Sequence, residues 1–298
     1  MQKPKVSVCV ITYNHQEYIE KCLDSILEQQ TNFNYEVVIG EDCSTDRTAS
    51  IIQDYTTIHK NIRFLDNSRN LGAIPNFIRS MKACKKGQYI AFCEGDDYWI
   101  DENKLQKQVD FLEQNLQYGG VCGEIVSRDV ENQVENKLEF KNEGEISFQD
   151  IIVKNKIHSN TMLFRSELME RNAMDAMNEL SIGDWYLNLI ITKQKSYYYL
   201  QEHFALYRVH GQGIFSKKSN FYKSFQKVRL LYLFLQKEGD NKNSNLIRKS
   251  LAFHIFGALK ASGKENKKEI KELYTILLTE RIYKINRSVV RSAINLIK

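Results

Sequence analysis

Three carboxylates crowd into four residues at Glu94-Gly95-Asp96-Asp97, directly after the apolar run Tyr89-Ile90-Ala91-Phe92-Cys93. Carboxylates this close repel one another unless a cation or ligand lies between them, and an all-oxygen set suits a hard dication such as Mg2+ or Mn2+. A solvated acidic turn has the same composition. The argument for chemistry is that polar stations of similar character follow other apolar runs: Thr12-Tyr13-Asn14, Glu41-Asp42, and Asp184 at the start of a helical pattern. In an open parallel sheet the carboxyl ends of the strands share one rim, and ligands bind there. Neither Gly-x-Gly-x-x-Gly after the first strand nor Gly-x-x-x-x-Gly-Lys-Ser/Thr occurs. A diphosphate on this rim would therefore be held by side chains and a metal, not by a glycine-rich loop.

The elements that must position these residues alternate. Val6–Thr12 reads as a strand buried on both faces, and Ile19, Cys22, Leu23, Ile26 and Leu27 follow at helical spacing. Tyr35–Gly40 is the second strand; Ser44 or Asp46 can cap the next helix, whose stripe is Ile51, Ile52 and Tyr55. Ile62–Leu65 is a third strand, Asn70-Leu71-Gly72 a turn, and Pro75 suits the first turn of a helix carrying Phe77, Ile78, Met81 and Cys84. With Tyr89–Cys93 as the fourth strand, the pattern is that of a parallel α/β sheet covered on both faces. Beyond it, Leu105, Val109, Leu112 and Leu116 form a helical stripe, and Gly120–Val126, Asn160–Phe164 and Tyr197–Leu200 are strand candidates. Residues 128–145 read as a surface loop or hairpin, and from about Asn220 the pattern is helical.

A chain of 298 residues with 42% hydrophobic and 27% charged residues is an ordinary globular composition, so disorder is not expected. The six cysteines form no Cys-x-x-Cys pair and sit mostly in apolar runs, which fits buried thiols of a reducing compartment and implies no zinc site. The first apolar run is too short for a signal-peptide core and nothing approaches a membrane span, so a cytoplasmic location is expected. The net charge of +5 is unevenly spread: residues 217–298 hold 19 Lys/Arg against 6 Asp/Glu, whereas residues 1–216 hold 23 against 31. Such an asymmetry points to an anionic partner for the C-terminal part. No aromatic-basic platform accompanies the charge, so nucleic acid is not expected. The basic amphipathic segments, such as Arg281–Arg287 and Val289–Arg291, fit either docking on an anionic membrane surface or ordinary helix packing with a solvated Lys/Arg face.

Four segments, Val8-Cys9-Val10-Ile11-Thr12-Tyr13-Asn14, Glu41-Asp42-Cys43-Ser44-Thr45-Asp46, Glu94-Gly95-Asp96-Asp97-Tyr98-Trp99 and Tyr207-Arg208-Val209-His210, resemble the family 2 glycosyltransferases in order and spacing. The resemblance spans residues 4–216. It implies a GT-A fold, an α/β Rossmann-like architecture with a mixed, mostly parallel sheet and helices on both faces. This catalytic domain would occupy residues 1–216, with a basic helical extension over 217–298.

The resemblance also implies roles. Tyr13, with Thr12 and Asn14 around it, packs against the base of a nucleotide-sugar donor. Asp42 accepts the base imide N–H, which favours uracil, and Asn70 and Gly72 wall the base and ribose. Asp96 binds the metal, Mg2+ or Mn2+. Glu94 stands where Asp is commoner and turns toward the ribose or a metal-bound water, and Asp97 supports or supplies a second ligand. His210 completes the metal shell and Arg208 pairs with phosphate oxygens. Asp184 is the base of an inverting transfer to a glycan or lipid-linked acceptor, in cell-surface polysaccharide synthesis on the inner face of the membrane. The alternatives are a nucleotide-sugar-binding module without turnover and a nucleotidyltransferase, although the latter's basic glycine-rich N-terminal loop is missing.

Overall fold

The first strand, β1 (Val6–Thr12), is buried at every residue but Ile11, which is why its sequence runs apolar without alternation. There follow α1 (Ile19–Leu27), β2 (Tyr35–Glu41), α2 (Thr48–Ile58), β3 (Ile62–Leu65), α3 (Ala73–Ala83) and β4 (Tyr89–Glu94). β2 and β4 flank β1, all three parallel, and β3 adds in parallel beyond β2. Ile11 pairs with both Gly40 and Glu94, and Thr12 with Glu41. The three polar stations of the first half therefore leave the sheet side by side at the same edge.

Alternate residues of these strands feed opposite layers. Val6, Val8 and Val10 join Tyr89, Ala91 and Cys93 in a core with Ile19, Leu23 and Ile26 of α1 and Ile51 and Ile52 of α2. On the other face Phe92 meets Phe77 of α3, ring centroids 5.4 Å apart. Right-handed crossovers give this result: the chain runs outward from β1 to β3 on one face and returns to β4 across the other.

The computed structural model describes residues 3–84, 86–138, 142–169, 171–210, 217–239 and 242–282. Its second half contains β5 (Tyr98–Trp99), α4 (Lys104–Gln114), β6 (Gly120–Asp129), β7 (Val134–Leu138), β8 (Gly144–Ile146), α5 (Phe148–Ile151), β9 (Leu163–Arg165), α6 (Arg171–Ala176), α7 (Asp184–Gln194) and β10 (Tyr197–Val209). The path across the sheet is β3-β2-β1-β4-β9-β6-β10-β5. β9 runs antiparallel to both neighbours, while β6 and β10 are parallel. The sheet is thus mixed, and the hairpin expected in residues 128–145 is β6 paired with β7.

Three expectations need correction. Leu116 lies beyond α4 and is exposed; the stripe ends with Leu112. Asn160 is not in a strand: Ser159–Thr161 is a single 3-10 turn, and the strand begins at Leu163. The strand read as Tyr197–Leu200 continues to Val209. Its register slips between Tyr199 and His203 and again between His203 and Ala205, so the polar Gln201-Glu202-His203 sits at an irregularity that hides the continuation.

The chain divides into two compact units, one of residues 1–178 with 183–210, the other of Glu179–Ile182 with the chain from 211 onward. The described part of the second unit holds α8 (Asn220–Glu238), α9 (Ser244–Ala261) and α10 (Lys267–Thr279). The Ser219 side chain caps α8 by accepting from the Tyr222 N–H at 3.1 Å. Phe225, Leu231 and Phe234 of α8, Ile247, Leu251 and Ile255 of α9, and Leu273 and Ile276 of α10 are buried. Below them Glu280 is buried and accepts from Gln236 at 2.6 Å and Arg248 at 3.2 Å. The basic segments Arg281–Arg287 and Val289–Arg291 fall almost wholly outside the described residues. No described helix is long and apolar enough to cross a membrane.

Candidate active site

At the end of β1 the Thr12 carbonyl accepts from the Asp42 N–H at 3.1 Å, and the Ile11 carbonyl from the Gly95 N–H at 2.9 Å. These bonds continue the ladder past the last strand residues and bring all three stations together. Gly95 has to be glycine. A Cβ there would lie 2.7 Å from both Cβ and Oγ1 of Thr12 and 3.1 Å from His15 Nδ1. The close approach puts Asp96 against His15, whose Nε2 is 3.6 Å from Asp96 Oδ2.

A second histidine meets the same oxygen: His210 Nε2 is 3.0 Å from Asp96 Oδ2. Burial alone would push the Asp96 carboxyl up, but His210 and His15 outweigh it and hold it below its ordinary value. Arg208 donates to the Asp96 carbonyl at 2.7 Å, and its guanidinium lies over Tyr98 at 4.6 Å and Tyr18 at 5.2 Å. Among the described residues, most of its five donors have no other partner.

Asp97 is fully buried and serves as a strut. One oxygen accepts from the Arg208 main-chain N–H at 2.8 Å, the other from the Asn160 side chain. Asn160, equally buried, accepts from the Glu94 N–H at 2.9 Å through its amide oxygen and from Trp99 Nε1 at 2.9 Å through its carbonyl. One asparagine thus fixes both ends of the acidic segment, and Asp97 ties that segment to β10. Removing the amide in Asn160→Ala leaves a buried carboxylate oxygen and a main-chain N–H without partners. The expected cost is about 3 kcal/mol, read as a lower urea midpoint; Asn160→Asp, which adds a fourth carboxylate, should cost at least as much. An unchanged midpoint in both would remove Asn160 from this role.

Glu94 is half-buried, and its carboxyl is pushed up to about 8 by burial first, then by Asp96 and by Asp184. Asp184, at the start of α7, is thus near enough to Glu94 to raise it electrostatically. Asp184 is the first residue of that helix, and burial raises its carboxyl too. Asn155 Nδ2 donates to Asp184 Oδ2 at 2.9 Å. Tyr207 also faces the cluster; burial and then Glu94, Asp97 and Asp96 push its phenol to about 12.

On the other side of Thr12, Asp42 is buried. Oδ1 accepts from the Leu71 N–H at 2.8 Å and Asn67 Nδ2 at 3.2 Å, and Oδ2 from the Gly72 N–H at 2.8 Å. Three of about four acceptor positions of the carboxylate are therefore used on the 67–72 turn, and one remains. Gly72 takes φ of 91°, open to glycine at little cost, and its N–H also reaches Asn70 Oδ1 at 3.0 Å. Asn14, at φ 55°, accepts from the Thr45 N–H at 2.8 Å and donates its own N–H to Ser44 Oγ at 2.9 Å. Tyr13 is left with 38% of its surface exposed on the rim. Asp46, not Ser44, serves the start of α2, through Thr48 N at 2.9 Å.

The donor set fits a hard dication. Glu94, Asp96 and Asp97 each offer a carboxylate oxygen, all within 4.8 Å of one another. Among the described residues, Thr12 Oγ1, His15 Nδ1 and His210 Nδ1 are buried there without a hydrogen-bond partner. Sequence reading gave no role to His15, Tyr18 or Tyr98. His15 was legible only as the polar end of the first apolar run.

The profile described as Glycosyl transferase family 2 matches residues 7–171. The chain belongs to glycosyl transferase family 2. An uncharacterized protein of Mycobacterium tuberculosis is 32% identical over 229 residues, 75% of this chain and 64% of that one. The family 2 chain therefore spans somewhat less than two thirds of that relative. The putative teichuronic acid biosynthesis glycosyltransferase TuaG of Bacillus subtilis is 37% identical over 110 residues, 37% of this chain and 42% of its own. Among solved structures, S. aureus TarS 1-349 in complex with UDP-GlcNAc superposes with a TM-score of 0.69 at 20% identity, over 96% of this chain and 82% of TarS. At that identity the likeness is one of fold. The family match ends before Asp184, Arg208 and His210, so the link of Arg208 and His210 to the acidic segment rests on the hydrogen bonds above and that of Asp184 on its effect on Glu94.

Proposed function

We propose that this family 2 chain is a metal-dependent inverting glycosyltransferase. It would move a sugar from a uridine diphosphate donor to a hydroxyl of a glycan or lipid-linked acceptor, in assembly of a bacterial cell-surface polysaccharide. The observation that carries the reading is the convergence of Glu94, Asp96 and Asp97 within 4.8 Å of one another on the rim that also holds Asp42, with Asp184 close enough to raise the Glu94 carboxyl. A divalent cation, Mg2+ or Mn2+, bound there would offset the charge that develops on the departing diphosphate. Asp96, Glu94 and His210 hold that cation, while Asp97 keeps Arg208 and the acidic segment in register. The free N–H groups of Arg208 face the phosphate oxygens. Tyr13 lies against the base, the remaining acceptor position of Asp42 takes its imide N–H, and Asn70 and Gly72 wall the ribose.

Asp184 deprotonates the acceptor hydroxyl as that oxygen attacks the anomeric carbon from the side opposite the diphosphate. One displacement inverts the centre and leaves no glycosyl-enzyme intermediate. The catalytic part would be residues 1–216, working at the cytoplasmic face of the membrane. The UDP-GlcNAc in the TarS structure and the teichuronic acid named for TuaG support the donor class and setting.

The test is a thermal-shift screen of nucleotide sugars with Mn2+ or with chelator, followed by assay of the released nucleotide. A uridine-specific stabilisation lost on chelation, with release of UDP, is expected. Stabilisation without UDP release would mean a binding module, and conversion of the UDP-sugar with added pyrophosphate to UTP and sugar 1-phosphate a nucleotidyltransferase.

A further inference from the structure

Lys249, Phe253, Phe256 and Lys260 follow one another along α9 at intervals of four, three and four residues, which keeps all four on one narrow stripe of a helix. All four are exposed; Phe253 has 63% and Phe256 37% of its surface open to solvent. The opposite side of α9 is buried through Ile247, Leu251, Ile255 and Leu259. Folding of this helix therefore gives no reason for two phenylalanines on the outer face. The helix contains no aspartate or glutamate, and a Cβ at Gly257, next to Phe256, would meet only open space. The C-terminal part of the chain that carries the stripe is strongly basic in sequence, residues 217–298 holding 19 Lys/Arg against 6 Asp/Glu.

We infer that this face of α9 docks on an anionic lipid surface, its two phenyl rings entering the boundary between headgroups and acyl chains. Lysines at the two ends of an aromatic pair suit that boundary, because their stems lie along the apolar region while the ammonium groups reach lipid phosphates. A second copy of the chain fits less well. Two-fold pairing of this helix in antiparallel fashion sets Lys249 against Lys260 of the other copy, and a stable interface needs about 800 Å² from each partner, far more than two rings supply. The inference does not require the transferase reading, since lipid docking and sugar transfer are measured separately.

The full chain is floated with vesicles of phosphatidylglycerol and phosphatidylcholine at one to three, and with phosphatidylcholine alone. It is expected on the anionic vesicles only, and less so as salt rises. Lys249→Glu with Lys260→Glu should lower the partition coefficient by about 30-fold or more, and Phe253→Ser with Phe256→Ser by about tenfold or more. Neither pair should move the thermal midpoint, because all four side chains face solvent. In Phe253→Trp the new indole should shift to the blue on anionic vesicles, against the steady background of the buried Trp99 and Trp185. Equal partition on both vesicle types would overturn the inference. So would double variants that float like the wild type, or a dimer in sedimentation that Phe253→Ser with Phe256→Ser dissociates.

Discussion

Asp184→Asn is expected to lower the rate of sugar transfer by about 10²- to 10⁴-fold while leaving donor affinity nearly unchanged. The substitution keeps the size of the side chain and its place at the start of α7, so the helix has no reason to move. Gly183 fixes that place, since a Cβ there would come within 3.1 Å of Phe77 and 3.2 Å of Ile74. What the variant loses is the ability to take a proton. Burial raises the Asp184 carboxyl, and the main-chain N–H groups at the helix start and Asn155 offset part of that rise. A raised carboxyl makes a stronger base, but one that works only when ionised. Activity should therefore fall as pH drops through this raised value, with the acid limb of the kcat profile above the ordinary carboxylate range. Asn155→Ala, which removes a hydrogen bond to the ionised form, should move that limb further up. Residual activity in Asp184→Asn should lack the limb altogether. Full activity in the Asn variant, or donor affinity lost together with turnover, would instead make Asp184 a structural carboxylate.

The half of the site built on β1, β2 and β4 was legible in the sequence because those strands are buried on both faces. Val6–Thr12 and Ile62–Leu65 were bounded to the residue, and a parallel register then brings Thr12, Glu41 and Glu94 to one edge without further information. Asn160 was not legible as a support. Its bond to Glu94 spans 66 residues, and a lone asparagine in a turn has no periodicity to mark it. The same holds for His15 and Tyr18, which matter only because β10 returns Arg208 and His210 to them. The strand that makes this return was hidden by the irregular register at Gln201–His203, where alternation breaks although the strand does not, and only the family resemblance pointed to Arg208 and His210. Asp42 shows the opposite limit. Its position was legible, but its hold on the 67–72 turn depends on a loop whose conformation φ of 91° at Gly72 permits and no pattern announces.

Asp96→Ala should abolish the chelator-sensitive stabilisation by donor and lower transfer by at least about 10³-fold. The fold should survive, because Arg208 is tied to the Asp96 main-chain carbonyl and to Asp97, neither of which the substitution removes. What disappears is the oxygen on which His210 and His15 converge, and with it the one carboxyl of the cluster held below its ordinary value. Glu94 offers an independent readout. With its carboxyl at about 8 it is mostly protonated at pH 7 in the absence of a cation, and a dication favours the ionised form. Mn2+ binding should therefore expel close to one proton at pH 7 and fewer as pH rises past 8. Titration calorimetry in buffers of different ionisation heat measures that number directly. Mn2+ that binds Asp96→Ala as tightly as the wild type, or releases no proton at pH 7, would place the cation away from this cluster and take the metal-assisted mechanism with it.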